Sequence, residues 1–102
     1  MKLYKIVDVS VPRYPVVRLT FDDGFSGDVD FADTLAGSKA MMPLRDPAVF
    51  KQVAIKEDGR ALGWGDGDEL DFCADALRFQ AEETVVRERA AQYEAARQTA
   101  AE

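Results

Sequence analysis

Three groups of side chains in this sequence are spaced as chemistry would require. The run Asp66-Gly67-Asp68-Glu69-Leu70-Asp71 is the densest, and alternating carboxylates of this kind can converge on a hard cation such as calcium. Asp28 and Asp30 alternate on one face of a predicted strand with Asp33 close behind, the raw material for a general acid and base. Cys73 stands at the start of a predicted helix, where the helix dipole lowers a thiol pKa and prepares a nucleophile.

Each group also has a plainer structural reading. A calcium loop of the EF-hand type needs an oxygen ligand where this chain has Leu70, a glycine after it and a bidentate Glu further on. The acidic run therefore reads as a turn leading into a helix cap. Asp28, Asp30 and Asp33 fall on a solvated strand face, whereas acid-base work needs one carboxylate whose surroundings raise its pKa. Cys73, on the apolar side of its helix, reads as a small buried hydrophobe. Trp64 offers a stacking platform, but its register sets it against Val53 in the core. Gly63, Gly65 and Gly67 alternate with no basic residue after them, so they read as turn glycines rather than a phosphate cradle. No residue is assigned a catalytic, cofactor-binding or metal-ligating role.

The counts agree. The chain has 102 residues and no His, which removes imidazole bases, Ser-His-Asp and Cys-His nucleophiles and His metal ligands. A single Cys removes an internal disulfide, a Cys-x-x-Cys redox pair and a thiolate cage. With 13 Lys and Arg against 19 Asp and Glu, the net charge of −6 opposes a phosphate backbone, whose affinity comes from basic residues releasing counterions. Direct nucleic-acid binding is thus not expected. On the future helix Arg78 and Arg89 share a face, but Arg87 and Arg97 lie roughly 180° and 100° away, so no basic stripe forms. Asp8 and Ser10 interrupt the apolar run that follows Lys2 and Lys5 before a signal-peptide core develops, and no stretch is long enough to span a bilayer. The expected location is cytoplasmic, without membrane contact.

Composition changes once, near Asp71, and the whole of 1–102 reads as one domain, strand-rich over 1–71 and helical over 72–102. Upstream, short apolar runs are cut by Gly, Pro and Asp; downstream neither Gly nor Pro occurs. Strands are predicted over Leu3 to Val11, ended by the Pro12 to Pro15 stretch, then Val16 to Phe21 and Phe25 to Phe31. Register tests the turn between the last two, because a one-residue slip sends every side chain to the wrong face. A three-residue loop, Asp22-Asp23-Gly24, pairs Phe21 with Phe25 and Val17 with Val29 and requires Gly24 to be left-handed. For Val53 to Glu57 and Arg60 to Trp64 the same test selects a two-residue Asp58-Gly59 turn. That turn sets Ile55 opposite Leu62, Val53 opposite Trp64, and Glu57 opposite Arg60 as a cross-strand ion pair. Phe31 to Leu35 reads as a short helical turn followed by a loose 36–39 segment. Asp46 caps a helical turn over 47–51 with Pro47 at its first position, leading into the strand at Val53.

The last element is a helix from Asp71 or Phe72, with Asp71 as its cap and Asp75 complementing the dipole. Its apolar positions Phe72, Cys73, Ala76, Leu77, Phe79, Ala81, Val85 and Val86 are dense at first, then thin to Ala90 and Tyr93. Phe79, Val86 and Tyr93 recur every seven residues on one stripe. Pairs Glu83 with Arg87 and Glu94 with Arg97 add roughly 0.2–0.5 kcal/mol each. From Phe72 to Arg97 such a helix extends about 38 Å, against about 20 Å for a six-residue strand. The sheet cannot cover it all.

The segment Val17-Arg18-Leu19-Thr20-Phe21-Asp22-Asp23-Gly24, the element Pro43-Leu44-Arg45-Asp46-Pro47-Ala48-Val49-Phe50, Trp64 and the Glu69-Leu70-Asp71 step together resemble domain-of-unknown-function family 2442, over about residues 1 to 78. The resemblance implies a small α+β domain of the bacterial cytoplasm with no established enzymatic activity and no catalytic residues to transfer. It also implies small protein partners, toxin-like ones among them, and in some members a helix-turn-helix segment after the domain. Here the end is one continuous helical pattern with no turn inside it, which argues against that segment.

The expected fold is α+β, with a small antiparallel sheet of about five strands, short helical turns and one long C-terminal helix. The expected function is a non-enzymatic protein-interaction module, such as the acidic regulatory or antitoxin-like member of a two-protein system. It would pair as a homodimer, or with a small protein, through Phe79, Val86 and Tyr93. Two alternatives stand beside it: a metal- or small-ligand-binding domain or enzyme using the aspartates, and an accessory subunit of a DNA-binding regulator.

Overall fold

Alternating apolar side chains draw the first three strands into one antiparallel sheet, and the chain then builds a second. The computed structural model describes residues 3–67 and 70–101. Strands β1 (Ile6–Arg13), β2 (Val16–Phe21) and β3 (Ser26–Asp30) form the first sheet in that order. Helix α1 (Ala32–Gly37), a 3-10 helix at Lys39–Arg45 and helix α2 (Pro47–Phe50) follow. Strands β4 (Ala54–Lys56), β5 (Ala61–Gly63) and β6 (Phe72–Cys73) make the second sheet, and α3 (Ala74–Ala101) closes the fold. The α+β class is as expected. The single sheet of about five strands is corrected to two antiparallel sheets of three.

Both hairpin registers match the face argument. Val17 pairs with Val29 in the first, and the Phe21 amide donates to the Phe25 carbonyl at 2.9 Å across the three-residue loop. Gly24 has φ 90°, a conformation that favours a residue without Cβ. In the second hairpin Ile55 pairs with Leu62, and the turn residues Asp58 and Gly59 both have positive φ, 55° and 92°. A tight primed turn needs that geometry. The Val53 and Trp64 rung does not form, because the ladder ends at Ala54 and Gly63.

Four further expectations are corrected. β1 starts at Ile6 and runs through Pro12 to Arg13. It is an edge strand whose register breaks between Ser10 and Arg13, and proline is tolerated at such edges and bulges. The segment after Leu35 is not loose: α1 continues to Gly37, and the Ser38 hydroxyl accepts from the Ala40 amide at 3.2 Å to cap the 3-10 helix. Phe72 and Cys73 do not begin the helix but extend β5, with Phe72 opposite Leu62 and Cys73 opposite Ala61. Gly63 is a strand residue rather than a turn residue, and a Cβ there would lie 2.0 Å from an Asp71 carboxylate oxygen.

One core joins the two sheets. Val17, Leu19, Phe21 and Val29 from the first sheet, Leu62 from the second and Trp64 just after β5 are buried with Phe31, Leu35, Leu44 and Phe50. Phe31 meets Phe50, Trp64 and Phe72 edge-on at centroid distances of 5.8, 5.8 and 5.2 Å, a favoured aromatic geometry. The Trp64 Nε1 proton is satisfied by the Phe50 carbonyl at 2.8 Å. Trp64 is thus a core residue as expected, with the rings of Phe31, Phe50 and Phe72 around it. The cap of α2 is also as expected: the Asp46 carboxylate accepts from the Ala48 amide at 2.9 Å ahead of Pro47.

Candidate protein-interaction site

α3 has two halves with opposite surroundings. Ala74, Leu77 and Ala81 are buried against the body, and a Cβ built on Gly27 of β3 would come within 3.1 Å of the Ala81 Cβ. Small residues on both elements therefore let helix and sheet approach closely. Thr84 and Val85 are half-buried, and every residue from Val86 to Ala96 is exposed. Phe79, Val86 and Tyr93 are 64%, 65% and 66% exposed. Soluble monomers rarely display large apolar side chains in a continuous line.

The buried half is held by a charged clamp that sequence reading did not find. Arg78 is only 7% exposed. Its guanidinium lies over the rings of Phe25, Tyr4 and Phe21 at 4.1, 4.4 and 5.0 Å. It also bonds the Asp23 carboxylate at 3.0 Å and Glu82 at 2.9 Å. The hydrogen bond to Asp23 is the largest influence raising the Arg78 pKa above its ordinary value. These partners come from the N-terminal segment, the first hairpin and the helix itself. Their convergence was visible only as an Arg one residue after Leu77 on the buried side.

A second ion pair pins the start of α3. Arg60 donates to both Asp75 oxygens at 2.9 Å and to the Tyr4 carbonyl, while the Tyr4 amide donates to Asp75 at 3.1 Å. The Arg60 hydrogen bond, and after it the Tyr4 amide, lower the Asp75 pKa from 3.8 to about 2. The expected Glu57–Arg60 pair is corrected by this contact. A bidentate carboxylate outcompetes a single cross-strand one, and Glu57, with φ 51°, belongs to the turn rather than to the ladder, which ends at Lys56 and Ala61.

The candidate residues for chemistry are scattered into structural roles. Asp71 does not cap α3; its carboxylate bonds Lys56 at 2.8 Å, and Lys56 also donates to the Gly67 carbonyl. Asp66 is exposed, while Asp68 and Glu69 of the same run lie outside the described residues. Asp28 is bridged to Arg18 at 2.9 Å, and Asp30 accepts from the Ala32 amide at 2.8 Å to start α1. Asp33 lines a polar groove of about 480 Å³ between α1 and α3 with Gln80, Glu83, Thr84 and Arg87. Cys73 is exposed in β6, not buried and not in the first helical turn. Glu83 and Arg87 share that groove without forming an ion pair; among the described residues the helical pair that forms is Arg78 with Glu82. The Arg97 side chain, expected to pair with Glu94, lies outside the described residues. Among the described residues no group of three or more acidic or Cys side chains could hold a metal ion. Nor is any helix among them long and apolar enough to cross a membrane.

No protein-family model matches the chain, and no curated protein matches it. Among solved structures it is similar to a protein of Nitrosomonas europaea ATCC 19718 described as "Putative DNA Binding Protein NE0471", at 27% identity with a TM-score of 0.69. The match covers 83% of this chain and 55% of that one, so the chain spans about half the length of its structural neighbour.

Proposed function

We infer that this chain is a protein-interaction module of the bacterial cytoplasm that self-associates through the exposed face of α3. The observation that carries the reading is the line of Phe79, Val86 and Tyr93, each about two-thirds exposed, on a helix that outruns the sheets beneath it. Covering apolar area of this kind is worth roughly 25 cal/mol per Å². The resemblance to family 2442 favours the same class, since that family implies small protein partners. The exposed, unpaired Cys73 suits a reducing compartment.

Light scattering on the purified chain is the test. The expected result is a dimer that Val86→Asp converts to monomer with the fold intact by circular dichroism. A monomer at every accessible concentration would refute the reading.

A second reading makes this dimer the acidic accessory part of a DNA-binding regulator. Its support is the likeness to a protein described as DNA-binding, which is longer than this chain. With a net charge of −6, and with Arg18, Arg60 and Arg78 each engaged by a carboxylate, the chain itself would leave the DNA contacts to another segment or subunit. Fluorescence titration against duplex DNA at low and moderate salt would show no salt-dependent binding by this chain alone, and salt-dependent binding once a basic partner is present.

A further inference from the structure

The exposed face of α3 has a pattern that selects what covers it. Ala76, Phe79, Glu83, Val86, Ala90 and Tyr93 follow one another at three- and four-residue spacing, and all are exposed. That is the seam spacing of two helices wound together. Phe79, Glu82, Glu83 and Val86 rim a groove of about 330 Å³ with Arg87 beside them. Four residues in this arrangement form the hole that receives one side chain from a facing helix. Resting on the self-association reading above, we propose that the groove takes α3 of a second copy running antiparallel, with Val86 of that copy filling it.

Two orientations compete, and the seam decides between them. Opposite charges meet on the flanks in either one: Glu82 with Arg87 of the second copy when parallel, Glu82 with Arg89 when antiparallel. That self-complementarity favours a second copy as the occupant. In a parallel pair in register, like faces like, so the hole receives Glu83 of the second copy and two carboxylates oppose each other inside an apolar seam. Glu83 enters the seam in the antiparallel pair too, opposite Val86, but only the parallel pair sets like charge against like at short range and adds repulsion to the cost of burying it. The antiparallel register that places Val86 in the hole also sets Phe79 against Ala90 and Tyr93 against Ala76. Each large side chain then faces a small one, and the layers can interdigitate.

The same register repeats each contact by twofold symmetry, as a closed dimer requires. It lays the exposed turns over 86–95 of one copy along the half of the other α3 that the sheets hold. Residues 74–95 overlap in both copies, about 33 Å of helix.

Oxidative cross-linking in a Cys73→Ser background tests the orientation. In the antiparallel register two Ala90→Cys thiols stand about 16 Å apart along the axis, beyond the roughly 7 Å Cα separation a disulfide spans. Mixing Glu82→Cys with Arg89→Cys chains brings the two thiols together across one flank. The expected result is a covalent dimer from the mixture and none from Ala90→Cys. A covalent dimer from Ala90→Cys would overturn the antiparallel register while leaving self-association standing. A chain that is monomeric by mass and cross-links in neither experiment would overturn both.

Discussion

The two halves of α3 are built from the same alphabet yet meet different fates. From Ala74 to Val85 the helix presents Leu77 and Ala81 to a sheet and is locked by Arg78 and Asp75; from Val86 to Ala96 every residue is exposed. The first half is helical because of what it packs on. The second continues on composition, since Ala, Glu, Arg and Gln are strong helix formers. The contrast teaches that burial in this fold ends where the small first sheet ends, and that the apolar residues beyond that point lie outside the monomer's core.

Substitutions can sharpen or break that contrast. The largest effect is expected at Leu77, fully buried in the first half. Leu77→Ala should destabilise the chain by about 3 kcal/mol through lost transfer energy and a cavity, read as a lower urea midpoint. Arg78→Ala should follow at about 2 kcal/mol, because three rings lose their cation and Asp23 and Glu82 each lose one charge-assisted hydrogen bond. Arg78→Lys should recover only part of this, since a point charge replaces a planar fork.

Acid should act next, through Asp75. Its carboxyl titrates lower in the folded chain than its ordinary value of 3.8, so it stabilises the fold above that value. The contribution is lost as pH falls through the folded value of about 2. Thermal melts should therefore show Asp75→Asn approaching the parent chain between about pH 4 and pH 2, while remaining less stable at neutral pH. A gap that stays constant with pH would remove the Arg60–Asp75 pin from the account. The smallest effect on the monomer is expected at Val86: Val86→Ala in dilute solution should change unfolding free energy by less than about 0.5 kcal/mol. A loss comparable to that of Leu77→Ala would erase the distinction between the halves.

What the sequence disclosed follows from the range of the interactions involved. Both hairpin registers were legible because Val17, Leu19, Phe21 and Val29, and separately Ile55 and Leu62, carry their face assignment within a few residues of their turns. The cap of α2 was legible for the same reason, with Asp46 and Pro47 adjacent. β6 was not, since two residues become a strand only when β5 offers an edge, and Phe72 and Cys73 read equally well as helix. The Arg78 clamp was hidden because Tyr4, Phe21, Asp23 and Phe25 lie more than fifty residues upstream in the chain. The register of the Asp58-Gly59 turn sets Arg60 opposite Glu57, whereas the fold supplies Asp75 in bidentate geometry from a residue outside the hairpin. The exposed stripe was legible as well: Phe79, Val86 and Tyr93 and the mismatch in reach came from periodicity and length alone, and all three residues are exposed. The tasks of Asp28, Asp71 and Asp30 were not legible, because their partners, Arg18, Lys56 and the Ala32 amide, are supplied by the fold.

Sedimentation equilibrium of the parent chain beside Val86→Asp tests the central claim most directly. The account predicts a reversible dimer for the parent and a monomer of unchanged secondary structure for the variant. A parent chain that remains monomeric, or a dimer whose association constant is the same in Val86→Asp, would contradict it.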